Sequence, residues 1–268
     1  MKRTADGWIA TSMRTLDPLP VFRPSNIDDA VAALSGDAAP VPVAGGTDLV
    51  AQFNSGLAPH GLLALRDIDA LRRIVVSDGH LHIGACVTHD AGSRSDIVRS
   101  VAPGFASAWG RIANVRVRMT ATIGGNIMAQ RTRYEMPILL DALGAKLEFQ
   151  GKLLVRVSIP LDGLVAFDYD RTLRPVMTQA VCLRRTTDGM LALRATAGTE
   201  ATQPHGFPVP LESATPNHLA EASAQLSAEA YATFPDAFAD CYTSNAYLRR
   251  AGRVILQRQL ERIGHAAA

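Results

Sequence analysis

Two adjacent glycine pairs constrain this chain more than any other feature: Val43-Ala44-Gly45-Gly46-Thr47-Asp48 and Thr122-Ile123-Gly124-Gly125-Asn126. Each pair follows an apolar, β-type run and precedes a small polar residue. None of the 21 glycines is followed by another two positions later, so the GxG core of a Rossmann dinucleotide fingerprint is excluded. A phosphate gripped by backbone needs converging amides with no side chain in the way. Glycine permits both the positive φ of an amide nest and close approach of the ligand. Thr47, Thr122 and Asn126 add neutral polar groups, and a short helix after each turn would aim its positive end at the same anion. Two such turns facing each other can hold a pyrophosphate; the competing reading is a pair of tight strand-to-helix corners.

Charge favours the first reading. Between Asp96 and Glu135 no acidic residue occurs, whereas Arg99, Arg111, Arg116, Arg118, Arg131 and Arg133 do, so the second glycine pair sits in the most positive stretch. The whole chain carries a net charge of only +2, too little for an electrostatic grip on nucleic acid or a membrane surface. With 268 residues, 47% hydrophobic and 19% charged, the chain can bury a sizeable core, and disorder is excluded. No apolar run approaches the roughly 18 residues of a membrane span. Cys86, Cys182 and Cys241 lie far apart, which excludes a CxxC motif, argues against a disulfide framework and points to a reducing, cytoplasmic setting.

Residues 1–20 lack periodicity and read as an extended arm. Ser25, with Asp28 three residues on, reads as the N-cap of a helix over about 26–35. Residues 40–44 read as a strand emptying into the first glycine pair. Leu62–Leu65 reads as a strand and Ile68–Leu71 as a helical turn, before a hairpin of Ile74–Val76 and Leu81–Ile83 about Asp78-Gly79. Thr88–Ile112 is helical, with Ile97, Val98, Val101, Phe105, Ala108, Trp109 and Ile112 inward. Val115–Val117 and Ala121–Ile123 are short β-branched runs. Met136–Leu143 reads as helix and Lys146–Phe149 as strand. After Pro160 the pattern changes to a hairpin, Val176–Arg184 and Met190–Ala197, and then to helices over 216–233 and 236–263. The last helix turns Ala239, Tyr242, Ala246, Leu248, Ile255, Leu256 and Leu260 inward.

Other constellations are weaker. His80 and His82 share a strand face, followed by Cys86 and His89, but Leu81 and Ile83 fill the core face and leave both histidines to solvent. Neither HExxH nor GxSxG occurs, and no nucleophile stands beside a base signature. The Arg249-Arg250-Arg253 cluster reads as a solvated helix face or a protein contact.

PVAGGTDL at 42–49, LHIGACVTH at 81–89, TATIGGN at 120–126 and Tyr247–Arg250, in that order, resemble the FAD-binding subunit of the molybdenum hydroxylases, the xanthine dehydrogenase and carbon monoxide dehydrogenase group. The resemblance covers about 22–263. It implies an α+β fold: a PCMH or vanillyl-alcohol-oxidase-type FAD-binding domain over 21–160, of two subdomains at about 21–76 and 77–160, and a smaller C-terminal domain of β-sheet and helices over 161–268. It also implies that Ala44, Gly45, Gly46, Thr47 and Asp48 wrap the pyrophosphate of a non-covalent FAD from one side, and Thr122, Ile123, Gly124, Gly125 and Asn126 from the other. The family's Asp nine residues after the Asn is Glu135 here. Its Gln-Ile-Arg-Asn is Arg116-Val117-Arg118-Met119, so the Gln and Asn are lost. About twenty residues usual between the strands ending near Phe149 and entering Ile159-Pro160 are missing. Residues 127–135 lead from the second turn toward the flavin ring, so ring contacts are expected from Gln130, with Arg131 or Arg133 at the N1 and C2=O edge. The alternative for both arginines is solvent or a partner.

The function the resemblance implies is electron transfer without a catalytic side chain of the chain's own. A large molybdopterin-binding subunit hydroxylates the substrate, a small subunit with [2Fe-2S] clusters passes the electrons on, and the flavoprotein delivers them to an external acceptor. The complex would be a heterotrimer or a dimer of heterotrimers. A stand-alone flavin oxidase of the same fold superfamily and a cofactor-free scaffold are the rival readings.

Overall fold

The computed structural model describes residues 18–267 apart from 37, 56, 133, 174–175, 200–203, 210, 212–215, 233 and 236–242. Most of the N-terminal arm, residues 1–17, and Ala239, Tyr242 and Cys241 thus lie outside the described residues.

The first unit is a parallel three-stranded sheet in the order β1-β3-β2, from β1 (Val21–Phe22), β2 (Val41–Val43) and β3 (Leu62–Ala64). Helix α1 (Ile27–Ala33) joins the first two strands. Its N-cap is Asn26 rather than Ser25: the Asn26 side chain accepts the Asp29 N–H at 2.8 Å and donates to the Asp29 carboxylate, closing a reciprocal box one residue later than expected. Helix α2 (Thr47–Asn54) follows β2 directly. Ala30, Leu63, Ile68 and Leu71 are fully or almost fully buried at the centre of this unit, with Cys86 and Leu153 closing its core.

A 3-10 turn at Asp69–Arg72 leads to an antiparallel sheet in the order β4-β5-β7-β6, made of β4 (Ile74–Ser77), β5 (His80–Gly84), β6 (Lys146–Gln150) and β7 (Leu153–Pro160). Asp78 and Gly79, with φ of 50° and 70°, form the expected tight turn between β4 and β5. The missing family segment leaves a two-residue turn, Gly151-Lys152, so β6 and β7 are a direct hairpin. Because β5 is an inner strand, His82 is not on a solvent face. It is buried, with Nδ1 2.7 Å from Ser158 Oγ on β7. Ser158 in turn donates to Glu148, which pairs with Arg156.

The helical stretch between β5 and β6 is a series of short pieces: α3 (His89–Arg94), α4 (Asp96–Val101), α5 (Pro103–Arg111), α6 (Val115–Arg118), α7 (Ile123–Met128) and α8 (Met136–Ala142). Ser95 ends one helix and caps the next, and this reorientation leaves Ile97 exposed rather than inward. Val115–Val117 is helical despite its β-branched residues, because Asn114 accepts the Val117 N–H at 3.0 Å. Phe105, Trp109, Ile112 and Ile123 fill the core over the antiparallel sheet.

The third sheet, β11-β10-β9-β8, is antiparallel and contains β8 (Leu164–Arg171), β9 (Thr178–Arg185), β10 (Leu191–Gly198) and β11 (His205–Val209). Its β9–β10 pair is the expected hairpin; β8 and β11 escaped sequence reading. One face gives Phe167, Tyr169, Ala180 and Cys182 to the core around Phe105. The other packs Val181, Leu183 and Leu193 against α9 (Pro216–Glu221), α10 (Ser223–Ala232) and α11 (Asn245–Ala267). The span 216–233 is broken at Ala222 rather than continuous, and the last helix begins at Asn245, with Leu248, Leu256 and Leu260 inward but Ala246 exposed. No helix among the described residues is long and apolar enough to cross a membrane.

Candidate functional site

A cleft of about 610 Å³ lies where the parallel unit meets the segment 112–135, and both glycine pairs line it. Gly45 packs on the chain just before the second pair: a Cβ there would stand 2.1 Å from the Thr120 carbonyl oxygen, so only glycine lets the first loop close on that segment. Gly46 caps α2 with φ of 70° and without a side-chain hydrogen bond. The first-turn amides of α2, among them those of Thr47 and Asp48, therefore start without an intrahelical or side-chain acceptor.

The second pair is built differently. Gly124 and Gly125 are not a turn before a helix but the first turn of α7, capped by Thr122, whose Oγ1 accepts the Gly125 N–H at 3.1 Å. The Ile123 and Gly124 amides go to the carbonyls of Val87 and Ala85 at 3.0 and 2.9 Å. Thus α7 keeps its amides for the fold, and the expected matching pair of amide nests is replaced by one open helix start and one closed. A Cβ on Gly124 would press on Ala85 at 2.7 Å, whereas one on Gly125 would meet only Thr122 Oγ1, at 3.0 Å. Next to it, Asn126 Oδ1 is buried with no hydrogen-bond partner among the described residues.

Asp48 is the polar hub of the cleft. It accepts hydrogen bonds from Arg131 Nε at 3.2 Å, Tyr134 Oη at 2.8 Å and Gln52. Partial burial pushes its pKa up, but the hydrogen bonds from Arg131, Tyr134 and Gln52 outweigh that, and the carboxyl lies below its ordinary value. Arg131 is thereby tied to Asp48.

Glu135 lines the cleft and is buried. Its carboxylate accepts the Tyr169 hydroxyl and the Arg171 guanidinium, the latter at 2.9 Å. Burial, with the Glu135 charge beside it, holds the Tyr169 phenol far above its usual range, so it stays a donor.

Of the expected site residues, Ala44, Gly45, Gly46, Thr47, Asp48, Thr122, Gly124, Gly125, Asn126 and Glu135 all line this one cleft. Ile123 is fully buried beneath it. Gln130 is exposed, has φ of 50° and is not among the lining residues. Arg133 lies outside the described residues. Sequence reading missed Tyr134, Lys152, Leu153, Leu154, Arg171 and Cys86. The shortened β6–β7 hairpin brings Lys152 and both leucines to the cleft, and only the strand pairing reveals that. The Cys86 thiol is buried, and burial pushes its pKa up to about 12, against a weaker opposing pull from Arg72.

Residues 13–177 match the family model described as the FAD-binding domain in molybdopterin dehydrogenase. Among curated relatives, the carbon monoxide dehydrogenase medium chain of Afipia carboxidovorans is 37% identical over 132 residues, 48% of this chain and 46% of the relative. The caffeine dehydrogenase subunit beta of Pseudomonas sp. (strain CBB1) is 29% identical over 128 residues, 47% of this chain and 43% of that one. The aligned part thus spans less than half of these relatives. Among solved structures, quinoline 2-oxidoreductase from Pseudomonas putida 86 superposes with a TM-score of 0.78 at 22% identity, covering 94% of this chain and 99% of the other. Carbon monoxide dehydrogenase from Oligotropha carboxidovorans gives a TM-score of 0.77 at 26% identity, covering 95% and 100%.

Proposed function

The chain belongs to the family of FAD-binding domains of molybdopterin dehydrogenases, and from that premise we propose that it holds FAD non-covalently in the cleft and serves as the electron-transferring flavoprotein subunit of a heteromeric molybdenum hydroxylase. One observation carries this: a single cleft joins an uncapped helix start, at Gly46-Thr47-Asp48, to the buried, unpaired oxygen of Asn126. The first suits an anion. The second suits a ligand hydroxyl, since leaving a buried acceptor unmet costs about 1–3 kcal/mol. A dinucleotide meets both, since it carries a pyrophosphate and sugar hydroxyls together.

The residues fit FAD in three ways. The amides of Thr47 and Asp48 face the pyrophosphate, with Asp48's own charge countered by Arg131. Gly125 puts no side chain into the cleft at its own position on α7, so the ligand can approach backbone there. Leu153 and Leu154 offer an apolar wall and Lys152 a positive charge, while Arg171 is paired with Glu135. When bound, FAD supplies an isoalloxazine ring that accepts electrons singly or in pairs and releases them to an acceptor.

In this reading, residues of about 21–76 and 77–160 are the two subdomains that enclose the cofactor, and 161–268 is the smaller C-terminal domain, whose Arg171 lines the cleft and, with Tyr169, holds Glu135. The electrons come from [2Fe-2S] clusters of a small subunit fed by a large molybdopterin-binding subunit, the whole assembled in the cytoplasm as a dimer of heterotrimers. Co-expression with the two subunits tests this: the chain should co-purify with both, and its flavin should be reduced by an organic substrate only inside the complex. A monomer that oxidises an organic substrate unaided would instead establish the stand-alone oxidase.

A further inference from the structure

A second concavity, of about 420 Å³, opens among α3, α4, α5 and the end of α6, apart from the cleft. Four arginines reach it, Arg94, Arg99, Arg111 and Arg118, against one carboxylate, Asp90. That carboxylate is already taken by Arg94 at 3.1 Å. Arg118 donates to the carbonyl oxygens of Ile112 and Ala113, both at 2.9 Å, which fixes its guanidinium without neutralising it. Arg111 is fixed as well. It donates to the Tyr169 carbonyl at 2.9 Å and lies over the Tyr169 ring, while its acidic neighbour Asp170, at 3.7 Å, also serves Arg262 at 2.9 Å. Among the described residues no acid pairs with Arg99 or Arg118.

We propose that this concavity binds a phosphate-bearing anion, gripped by Arg99, Arg111 and Arg118. Three cations face one hollow with less than one carboxylate to balance them, and planar guanidinium forks match phosphate oxygens. Two of the three are held in place before any ligand arrives, so little side-chain freedom is lost on binding. A concave hollow favours a small ligand over a flat protein contact. It is a site distinct from that of FAD. Ile112, Ala113, Asn114 and Val117 line the cleft on the other side of the same wall, so the two ligands would occupy opposite faces of residues 112–118.

Calorimetric titration of the FAD-loaded chain with inorganic diphosphate, at constant ionic strength, tests this. The expected result is saturable one-site binding, weakened about tenfold by Arg99→Gln and abolished by Arg99→Glu. Arg99 makes no contact on which the fold depends, so both variants should melt like the parent. Parallel titration with ADP separates sources: tighter binding of ADP marks a nucleotide, equal binding marks free phosphate. No saturable heat, or an unchanged affinity in Arg99→Gln, overturns the proposal. So does a result in which diphosphate fails to bind and the Arg99 variants instead lose association with a co-expressed subunit, since the hollow would then be a protein contact.

Discussion

Asp48, in the first turn of α2, and Arg131, beyond the end of α7, meet at 3.2 Å although 83 positions separate them in the chain. Tyr134 closes on the same carboxylate. The pair ties the open helix start to the segment that leaves the closed one.

Asp48→Asn should therefore raise the rate of FAD loss by about two- to fivefold, the modest size expected for a partly exposed ion pair, as followed by the rise in free-flavin fluorescence. The folded-state pKa of Asp48 lies below its unfolded value, so the contribution is complete above the ordinary carboxylate range and fades as pH falls through the lowered value. Flavin retention in the variant should lose that acid dependence. Equal rates in variant and parent would show that the pair does not restrain the cleft.

The glycines should separate by function. Gly45→Ala places a methyl against the Thr120 carbonyl and should cost stability of order 2 kcal/mol or more, seen as a lowered denaturation midpoint. Gly125→Val projects into the cleft, beside only the Thr122 cap. It should cost less than about 1 kcal/mol through the cap yet leave the purified chain depleted of flavin. A Gly125→Val chain with full flavin content would remove Gly125 from the site.

His89 predicts a pH dependence of stability. It is buried, Trp109 Nε1 donates to its Nδ1 at 2.8 Å, and burial, aided by the Arg118 charge, lowers its pKa to about 4. Because the unfolded chain binds the proton near pH 6.5 and the folded chain only near 4, stability is complete above the first value. It is then lost as pH falls between the two, by about 3 kcal/mol in all. His89→Gln keeps an acceptor for Trp109 and should flatten the stability profile in that window; an unchanged slope would assign it to other groups.

One Glu135 oxygen accepts from both Tyr169 and Arg171. Glu135→Asp withdraws the carboxylate by one methylene and should destabilise the chain by about 1–3 kcal/mol by leaving buried donors unmet. A thermal melt of the variant matching the parent would show that the contact is dispensable.

Much of the site was legible in the sequence because its constraint is local. Gly45-Gly46 and Gly124-Gly125 announce themselves by composition, and the structure brings both pairs to one cleft. What was not legible depends on pairing over distance. The different use of the α7 amides rests on Val87 and Ala85, residues of a neighbouring segment. Lys152 reaches the cleft only because β6 and β7 pair directly, and Arg171 because β8, an unread strand, carries it to Glu135. At the local scale the caps decided: Asn114 and Thr122 turned β-branched runs into helix starts. His82 was misplaced because an inner strand has two covered faces, which alternation alone does not reveal.

A non-covalent FAD in this cleft is tested most directly by the flavin set free when the purified chain is precipitated with acid. Stoichiometric FAD, identified by chromatography, is expected in the supernatant above a colourless pellet, since Cys86, the one described cysteine that lines the cleft, is buried and its pKa is pushed up to about 12. Flavin retained in the pellet, or a chain that neither carries FAD nor takes it up from solution, would contradict it.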